Sequence, residues 1–216
     1  MGRYKYIFFD LDGTVFDSGT GIKKSASYAL KKFNIDVKNI SALNKFIGPP
    51  LKMSFMDFYG LSSEQAELAI SYYREYYSSK GIYEGSVYKG IYNLLEYIRT
   101  NGMKAVLATS KPEYYAEKIT EHFDLKQYFT LISGATFDER LVEKYDIIMN
   151  TITRLSVNNP SEILMVGDRK FDIEGAHRAG ISSAGVLYGY GSYNELYSSD
   201  ADYIVSNTKE LVKILL

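Results

Sequence analysis

Carboxylates recur in this chain immediately after apolar runs. Asp10 and Asp12 stand in FFDLDGT, and Asp168 and Asp172 in MVGDRKFDIEG. Hydroxyls and an ammonium follow another apolar run in VLATSKP, as Thr109, Ser110 and Lys111, and a further lysine, Lys144, lies between these groups in the chain. Few other reactive groups are available. The 216 residues contain no Cys and two His, His122 and His177. Disulfides, thiol nucleophiles, iron–sulfur clusters and thiolate zinc sites are therefore excluded, and so is a three-histidine metal centre. A Ser-His-Asp triad would have to use one of the two His, so any chemistry must come mainly from carboxylates, hydroxyls, Lys and Arg.

The elements that must position these residues follow from the spacing of apolar side chains. Residues 4–9 are a short apolar and aromatic run that reads as a buried strand. Further strands are predicted at 104–108, 128–133, 162–166, 183–187 and 203–205, separated by helices at 89–101, from Pro112 onward, at 139–155 and at 170–179. Pro112 suits the first helical position, Gly102 and Gly180 suit positions just past helix ends, and Asn207 with Glu210 suits the cap of a last helix. Strands alternating with helices imply an α/β fold, a Rossmann-like parallel sheet with helices on both faces.

About ninety residues separate the first two strands of the sheet, where a βα unit needs about thirty. The excess, residues 18–80, reads as helices only. One is predicted at 22–33 and another at 41–46, ending at Gly48-Pro49-Pro50, and a third opens with the capping pair Ser62 and Gln65. This segment holds nine Lys or Arg against five Asp or Glu, a net of +4, while the remainder carries −5. The expected organisation is an α/β core from 1–17 and 81–216 with an all-helical cap domain, 18–80, inserted after the first strand. The overall charge of −1 gives no basic footprint for nucleic acid. No run is long and apolar enough for a membrane span, and no secretory leader is visible, so a cytoplasmic location is expected.

Parallel sheets bind ligands beyond the C-terminal ends of their strands, which is where Asp10, Asp12, Gly13, Thr109, Ser110, Lys111, Asp168 and Asp172 fall. The ordered set FFDLDGTVFDS, VLATSKP, Lys144 and MVGDRKFDIEGA resembles the four motifs of the haloacid dehalogenase superfamily. The likeness covers nearly the whole chain, including the position of the helical insert. KFIGPPL (Lys45 to Leu51) and GVLYGYGSYNEL resemble the phosphoglycolate phosphatase and 5′-nucleotidase-like branch.

That resemblance implies specific roles. Asp10 would be the nucleophile that forms an aspartyl-phosphate. Asp12 would protonate the leaving group and then activate water; dehalogenases of the superfamily have Tyr at this position, so Asp12 favours phosphate esters. Thr109, with the backbone of Gly13 and Ser110 and the side chain of Lys111, would bind phosphate, and Lys144 would neutralise nucleophile and phosphate together. Mg²⁺ would be held by Asp10, the backbone carbonyl of Asp12 and Asp168, supported by Asp172. Lys45 and Gly48 would contribute to substrate selection from the cap, whose positive charge suits an anionic substrate. The expected activity is Mg²⁺-dependent hydrolysis of a small phosphorylated metabolite, with no nucleic-acid or membrane partner, by a monomer or weak homo-oligomer. A phosphomutase of the same superfamily and a non-catalytic phospho-receiver or signalling module are the alternatives. Phosphoglycolate, nucleoside monophosphates, sugar phosphates and pyrophosphate all stay open as substrates, and both histidines read as structural.

Overall fold

The computed structural model describes residues 3–137 and 141–216. Its strands are β1 (Tyr6–Phe9), β2 (Phe16–Asp17), β3 (Ser86–Val87), β4 (Lys104–Pro112), β5 (Phe129–Ala135), β6 (Ile163–Gly167), β7 (Ser182–Val186) and β8 (Tyr203–Val205). Six of them form one sheet in the order β5-β4-β1-β6-β7-β8, with every neighbouring pair parallel. Ile7, Phe8 and Phe9 are fully buried, because a central strand of a parallel sheet is covered on both faces and must be apolar throughout. Phe8 packs with Val106, Ala108, Ile147, Ile148, Ile163 and Met165 in the core beneath the sheet. The α/β class and the parallel sheet read from the sequence are therefore those observed. The second sheet, of the two short strands β2 and β3, lies outside that reading.

The helices are α1 (Gly19–Lys31), α2 (Leu51–Tyr59), α3 (Ser63–Ser79), α4 (Ile91–Thr100), α5 (Glu113–His122), α6 (Lys144–Leu155), α7 (Lys170–Arg178), α8 (Tyr193–Ser198) and α9 (Thr208–Leu215). Local signals define several of their ends. Ser62 and Gln65 form a reciprocal capping box before α3, and Asn207 accepts from the backbone N–H groups of Lys209 and Glu210 before α9. The helical stretch expected at 41–46 is present, as a 3₁₀ helix over Ile40–Phe46. Two expectations are corrected. Pro112 ends β4 in extended conformation, and the helix begins after it; the strand keeps pairing to that point. Of the helix expected from residue 139, residues 139 and 140 lie outside the described chain, residues 141–143 are not helical, and α6 starts at Lys144.

The chain divides into two units, Asp17–Ser86 and Met1–Phe16 with Val87–Leu216. With Asp17 and Glu84 included, the helical unit holds nine basic and seven acidic residues, a net of +2 instead of the +4 counted for 18–80. Its tyrosines sort by helix face, since adjacent positions cannot point the same way. Tyr73 and Tyr77 stack in its interior, while Tyr72 meets Phe33 and Tyr76 meets Tyr28. Among the described residues, no helix is long and apolar enough to cross a membrane.

Candidate active site

β1 lies between β4 and β6, where the chain, having built one side of the sheet, crosses to begin the other. Such a switch in strand order opens a crevice at the C-terminal strand ends. Asp10 and Asp12 leave β1 there. The Asp10 backbone N–H donates to Val166 O at 2.9 Å, which ties the start of this turn to β6.

Lys144 is the first residue of α6, yet its side chain is buried. A cation at a helix N-terminus opposes the helix dipole, so another interaction must hold it. Its ammonium group reaches Asp10 Oδ1 at 2.8 Å, Asp172 Oδ1 at 2.8 Å and Ala108 O at 3.1 Å. The contacts to Asp10 and Ala108 are hydrogen bonds and the one to Asp172 is an ion pair, which leaves Asp172 Oδ1 without a hydrogen-bond partner among the described residues. Burial works against the charge on Lys144, but Asp10 and Asp172 outweigh it and raise the pKa above the ordinary lysine value. Asp172 also accepts from the Arg169 backbone N–H through Oδ2, at 3.1 Å. It therefore caps α7 and binds Lys144 with different oxygens.

Asp168, at the end of β6, is fully buried. Its carboxylate accepts from Tyr190 N–H at 2.7 Å and from the Thr14 hydroxyl at 3.3 Å. Burial, followed by the charges of Asp172 and Asp10, pushes its pKa up to about 8. Burial also leads for Asp172, where Lys144 opposes it, and that pKa is raised to about 6. Asp10, Asp168 and Asp172 each offer a carboxylate oxygen, and these atoms lie within 4.8 Å of one another. Three carboxylates against one ammonium leave an excess of buried negative charge. Hard oxygen donors with that excess fit a hard divalent cation.

Asp12 has a different partner. Lys111 Nζ lies 2.6 Å from Asp12 Oδ2, and the lysine side chain is buried. The β4–β5 register explains the reach: Thr109 is opposite Gly134 and Pro112 opposite Ala135, so the intervening residues of β4 bulge out of register. Gly134 permits the bulge, because a Cβ there would meet Lys111 O and the Glu113 backbone. Asp12 Oδ1 is buried with no hydrogen-bond partner among the described residues. The side chain of Asp12 stands outside the three-carboxylate cluster. Thr109 is buried, and its hydroxyl oxygen accepts from Lys111 N–H at 3.2 Å, leaving its own proton to donate. Ser110 is exposed.

Gly13 has φ +84°, and a Cβ on it would collide with the Asp168 carboxylate. Only glycine allows both this turn and that approach. Lys45 and Gly48 belong to the other unit. Both are exposed, and the Lys45 ammonium sits over the rings of Phe58 and Tyr59, at 4.6 and 4.8 Å from their centroids. His122 is exposed beside Phe123, and His177 contacts Ser183 and Asp202, so neither enters this cluster.

Residue-type reasoning passed over several contributors. A Cβ at Gly175 in α7 would press on the Lys144 side chain, and one at Gly167 would strike the Asp172 carboxylate. The segment 188–191 lies against Gly13, Thr14 and Asp168. A mid-helix glycine costs about 1 kcal/mol relative to alanine, which was the available signal for Gly175. The alternation Tyr-Gly-Tyr-Gly in 188–191 was the signal for the last group.

Residues 7–186 match the family model of the haloacid dehalogenase-like hydrolases. A 5′-nucleotidase of Pseudomonas aeruginosa is 37% identical over 213 residues, 99% of this chain and 96% of that protein. The tyrosine-protein kinase PtkA of Mycobacterium tuberculosis is 38% identical over 185 residues, 86% of this chain and 62% of the kinase. A phosphoglycolate phosphatase of Vibrio parahaemolyticus is 26% identical over 220 residues, 98% of this chain and 96% of that protein. The crystal structure of a predicted phosphatase from Clostridium acetobutylicum superposes with a TM-score of 0.92 at 46% identity, over 97% of each chain. The motif order, the geometry of the strand ends and these likenesses converge: the chain belongs to the haloacid dehalogenase-like hydrolases and is a phosphatase of that family.

Proposed function

We propose that the chain hydrolyses phosphate monoesters of a small metabolite in two steps through an aspartyl-phosphate on Asp10, with Mg²⁺ held by Asp10, Asp168 and Asp172 and by the backbone carbonyl of Asp12. The observation that carries this reading is the division of labour between two neighbouring carboxylates. Asp10 is held by Lys144, while Asp12 is held through one oxygen by Lys111 and keeps its other oxygen, Oδ1, without a hydrogen-bond partner among the described residues.

In the first step the Asp10 carboxylate attacks phosphorus, forming the Asp10 O–P bond as the ester P–O bond breaks. Asp12 gives its proton to the departing oxygen. In the second step Asp12 takes a proton from water, whose oxygen attacks phosphorus and releases Asp10. The sum is ester plus water to alcohol plus phosphate. Lys144 balances charge on Asp10 and on the transferring group, and the Thr109 hydroxyl with the Ser110 N–H donates to phosphate oxygens. Bound Mg²⁺ would supply positive charge against the phosphate oxygens. The helical unit, with Lys45 and Gly48, is our candidate for substrate selection, and a cytoplasmic metabolite is the expected substrate.

The test is release of inorganic phosphate from an aryl phosphate, with and without EDTA, by wild type and by Asp10→Asn. Mg²⁺-dependent turnover is expected, with a loss on the order of 10⁴-fold or more in the variant; full activity in Asp10→Asn would overturn the mechanism. Multiple turnovers separate an enzyme from a receiver. A phosphorylated-metabolite panel ranked by kcat/KM, including phosphoglycolate, nucleoside monophosphates, sugar phosphates and pyrophosphate, identifies the substrate. Isomerisation of a hexose phosphate without net phosphate release would favour a mutase. Because one relative is named a kinase, phosphate transfer from ATP to protein tyrosine is the remaining arm.

A further inference from the structure

The segment after β7 reads Tyr188-Gly189-Tyr190-Gly191, and each residue meets the site differently. The Tyr188 hydroxyl donates to Thr14 O at 3.1 Å, and its ring packs on Tyr88 with centroids 5.0 Å apart. Gly189 lies so close that a Cβ would collide with Gly13 O and the Asp168 Cβ. Tyr190 N–H donates to Asp168 Oδ2 at 2.7 Å. Gly191 approaches the Asp168 backbone carbonyl closely enough to exclude any Cβ. Thr14 closes the loop by donating its own hydroxyl to Asp168 Oδ1 at 3.3 Å.

Two separate parts of the sequence, the turn 12–14 and Asp168, are thus bound to one another and to a third. We propose that residues 188–191 form a positioning clasp, in which the Tyr188 hydroxyl and the Tyr190 backbone N–H together hold the turn that carries Asp12 in register with the Asp168 carboxylate. The inference rests on the proposed roles of Asp12 as acid and base and of Asp168 as a cation ligand.

The physical argument is geometric. The Asp12–Gly13–Thr14 turn leaves β1 through a left-handed glycine and has little ladder pairing of its own. Its backbone N–H groups bond only locally, 13→16, 14→11, 15→11 and 16→11, and its long-range ties are Tyr88 N–H to Val15 O, Lys111 to Asp12, the Thr14 hydroxyl to Asp168 and the Tyr188 hydroxyl to Thr14 O. Local bonds shape a turn without fixing its direction. The Tyr188 hydroxyl supplies a bond to a residue 174 positions away in the chain. Groups that orient a metal ligand typically change metal affinity or activity by about 10–100-fold when removed. A displacement of about 1 Å in an acid can cost on the order of 10²-fold in rate.

Tyr188→Phe keeps the ring on Tyr88 and deletes the one hydroxyl. Mn²⁺ binding, read from the EPR signal of the free ion, is expected to weaken about tenfold. At saturating Mg²⁺, kcat should fall about tenfold while KM for an aryl phosphate changes less than twofold. The thermal midpoint should move by about 3 °C or less. Tyr193→Phe, on the exposed ring stacked against Tyr197, should match wild type in every measurement. Gly189→Ala should lose more than Tyr188→Phe; if it does not fold, Tyr188→Phe carries the test alone. The clasp is wrong if Tyr188→Phe has wild-type metal affinity and kcat, or if it loses thermal stability while its folded fraction binds Mn²⁺ normally. Asp168→Asn distinguishes the underlying reading. If that variant binds Mn²⁺ as tightly as wild type, the assigned cation site fails and the clasp fails with it.

Discussion

Lysine–carboxylate pairs stand at both ends of the β1–β6 strand pair. Before the strands begin, Lys5 Nζ meets Glu162 Oε1 at 2.7 Å; where they finish, Lys144 Nζ meets Asp10 Oδ1 at 2.8 Å. The distances are alike and the surroundings are not. The side chains of Lys5 and Glu162 are 59% and 24% exposed, whereas those of Lys144, Asp10 and Asp172 are 4%, 13% and 2% exposed. An exposed pair exchanges water for a partner at nearly equal free energy. A buried pair has lost its water already, so removing one partner strands the other. Burial, rather than contact distance, separates the surface pair from the candidate site, and the difference can be tested by breaking pairs one at a time.

The largest effect is expected from Lys144→Met, which leaves Asp10 and Asp172 without their shared cation. Activity should fall on the order of 10²–10³-fold, the range for loss of one strong transition-state donor. Stability near neutral pH should fall by about 3–5 kcal/mol, read by denaturant unfolding of the metal-free proteins. Native-like stability in Lys144→Met would show that the buried pair is worth no more than the exposed one.

The same variant has a pH signature. In the folded, metal-free chain, burial raises the Asp168 pKa to about 8 and the Asp172 pKa to about 6. Raised acids bind protons more tightly folded than unfolded. Their stabilising contribution is full below the ordinary carboxylate pKa and is lost as pH rises through about 6 and then about 8. Removing Lys144 deletes the charge that holds Asp172 down. The stability gap between wild type and Lys144→Met should therefore narrow as pH falls from 8 to 5. A gap independent of pH would contradict the buried-charge account.

Lys111→Ala should come next, at about 10–100-fold in kcat, because Asp12 is partly open to solvent and can be rehydrated. Its diagnostic value lies in the leaving group. If Lys111 acts through Asp12, alkyl phosphates should suffer more than aryl phosphates, whose leaving oxygens need little protonation. Equal losses would return Lys111 to the phosphate-binding role assigned from sequence. The smallest effect is reserved for Lys5→Ala, with stability within about 0.5 kcal/mol and kcat unchanged. A loss comparable to that of Lys111→Ala would erase the distinction between the two ends.

How much of this was legible without coordinates depended on range. Ser62 with Gln65 and Asn207 with Glu210 were readable because a cap is completed within a few residues. The apolar run at 4–9 was readable as a strand because burial on both faces forces it, although the strand itself begins at Tyr6. The start of α6 was misjudged by several residues, since nothing local says that a lysine must sit at a helix N-terminus against the dipole; two distant aspartates supply the reason. Pro112 was given to a helix on local preference, whereas pairing with Ala135 keeps it in the strand. The count of +4 on the inserted segment depended on a boundary that the folded unit moved outward to Asp17 and Ser86.

By itself the sequence determined which chemical groups exist, that no thiol is among them, and that strands alternate with helices so that carboxylates and hydroxyls collect at strand ends. These follow from composition and short-range periodicity. Only the tertiary structure decided that Lys111 faces Asp12, that Lys144 bridges Asp10 and Asp172, and that residues 188–191 lie on Gly13 and Asp168. Those contacts join positions up to 176 apart and exist because β1 lies between β4 and β6. Strand order is settled by the packing of the whole sheet, which no local spacing of residues encodes.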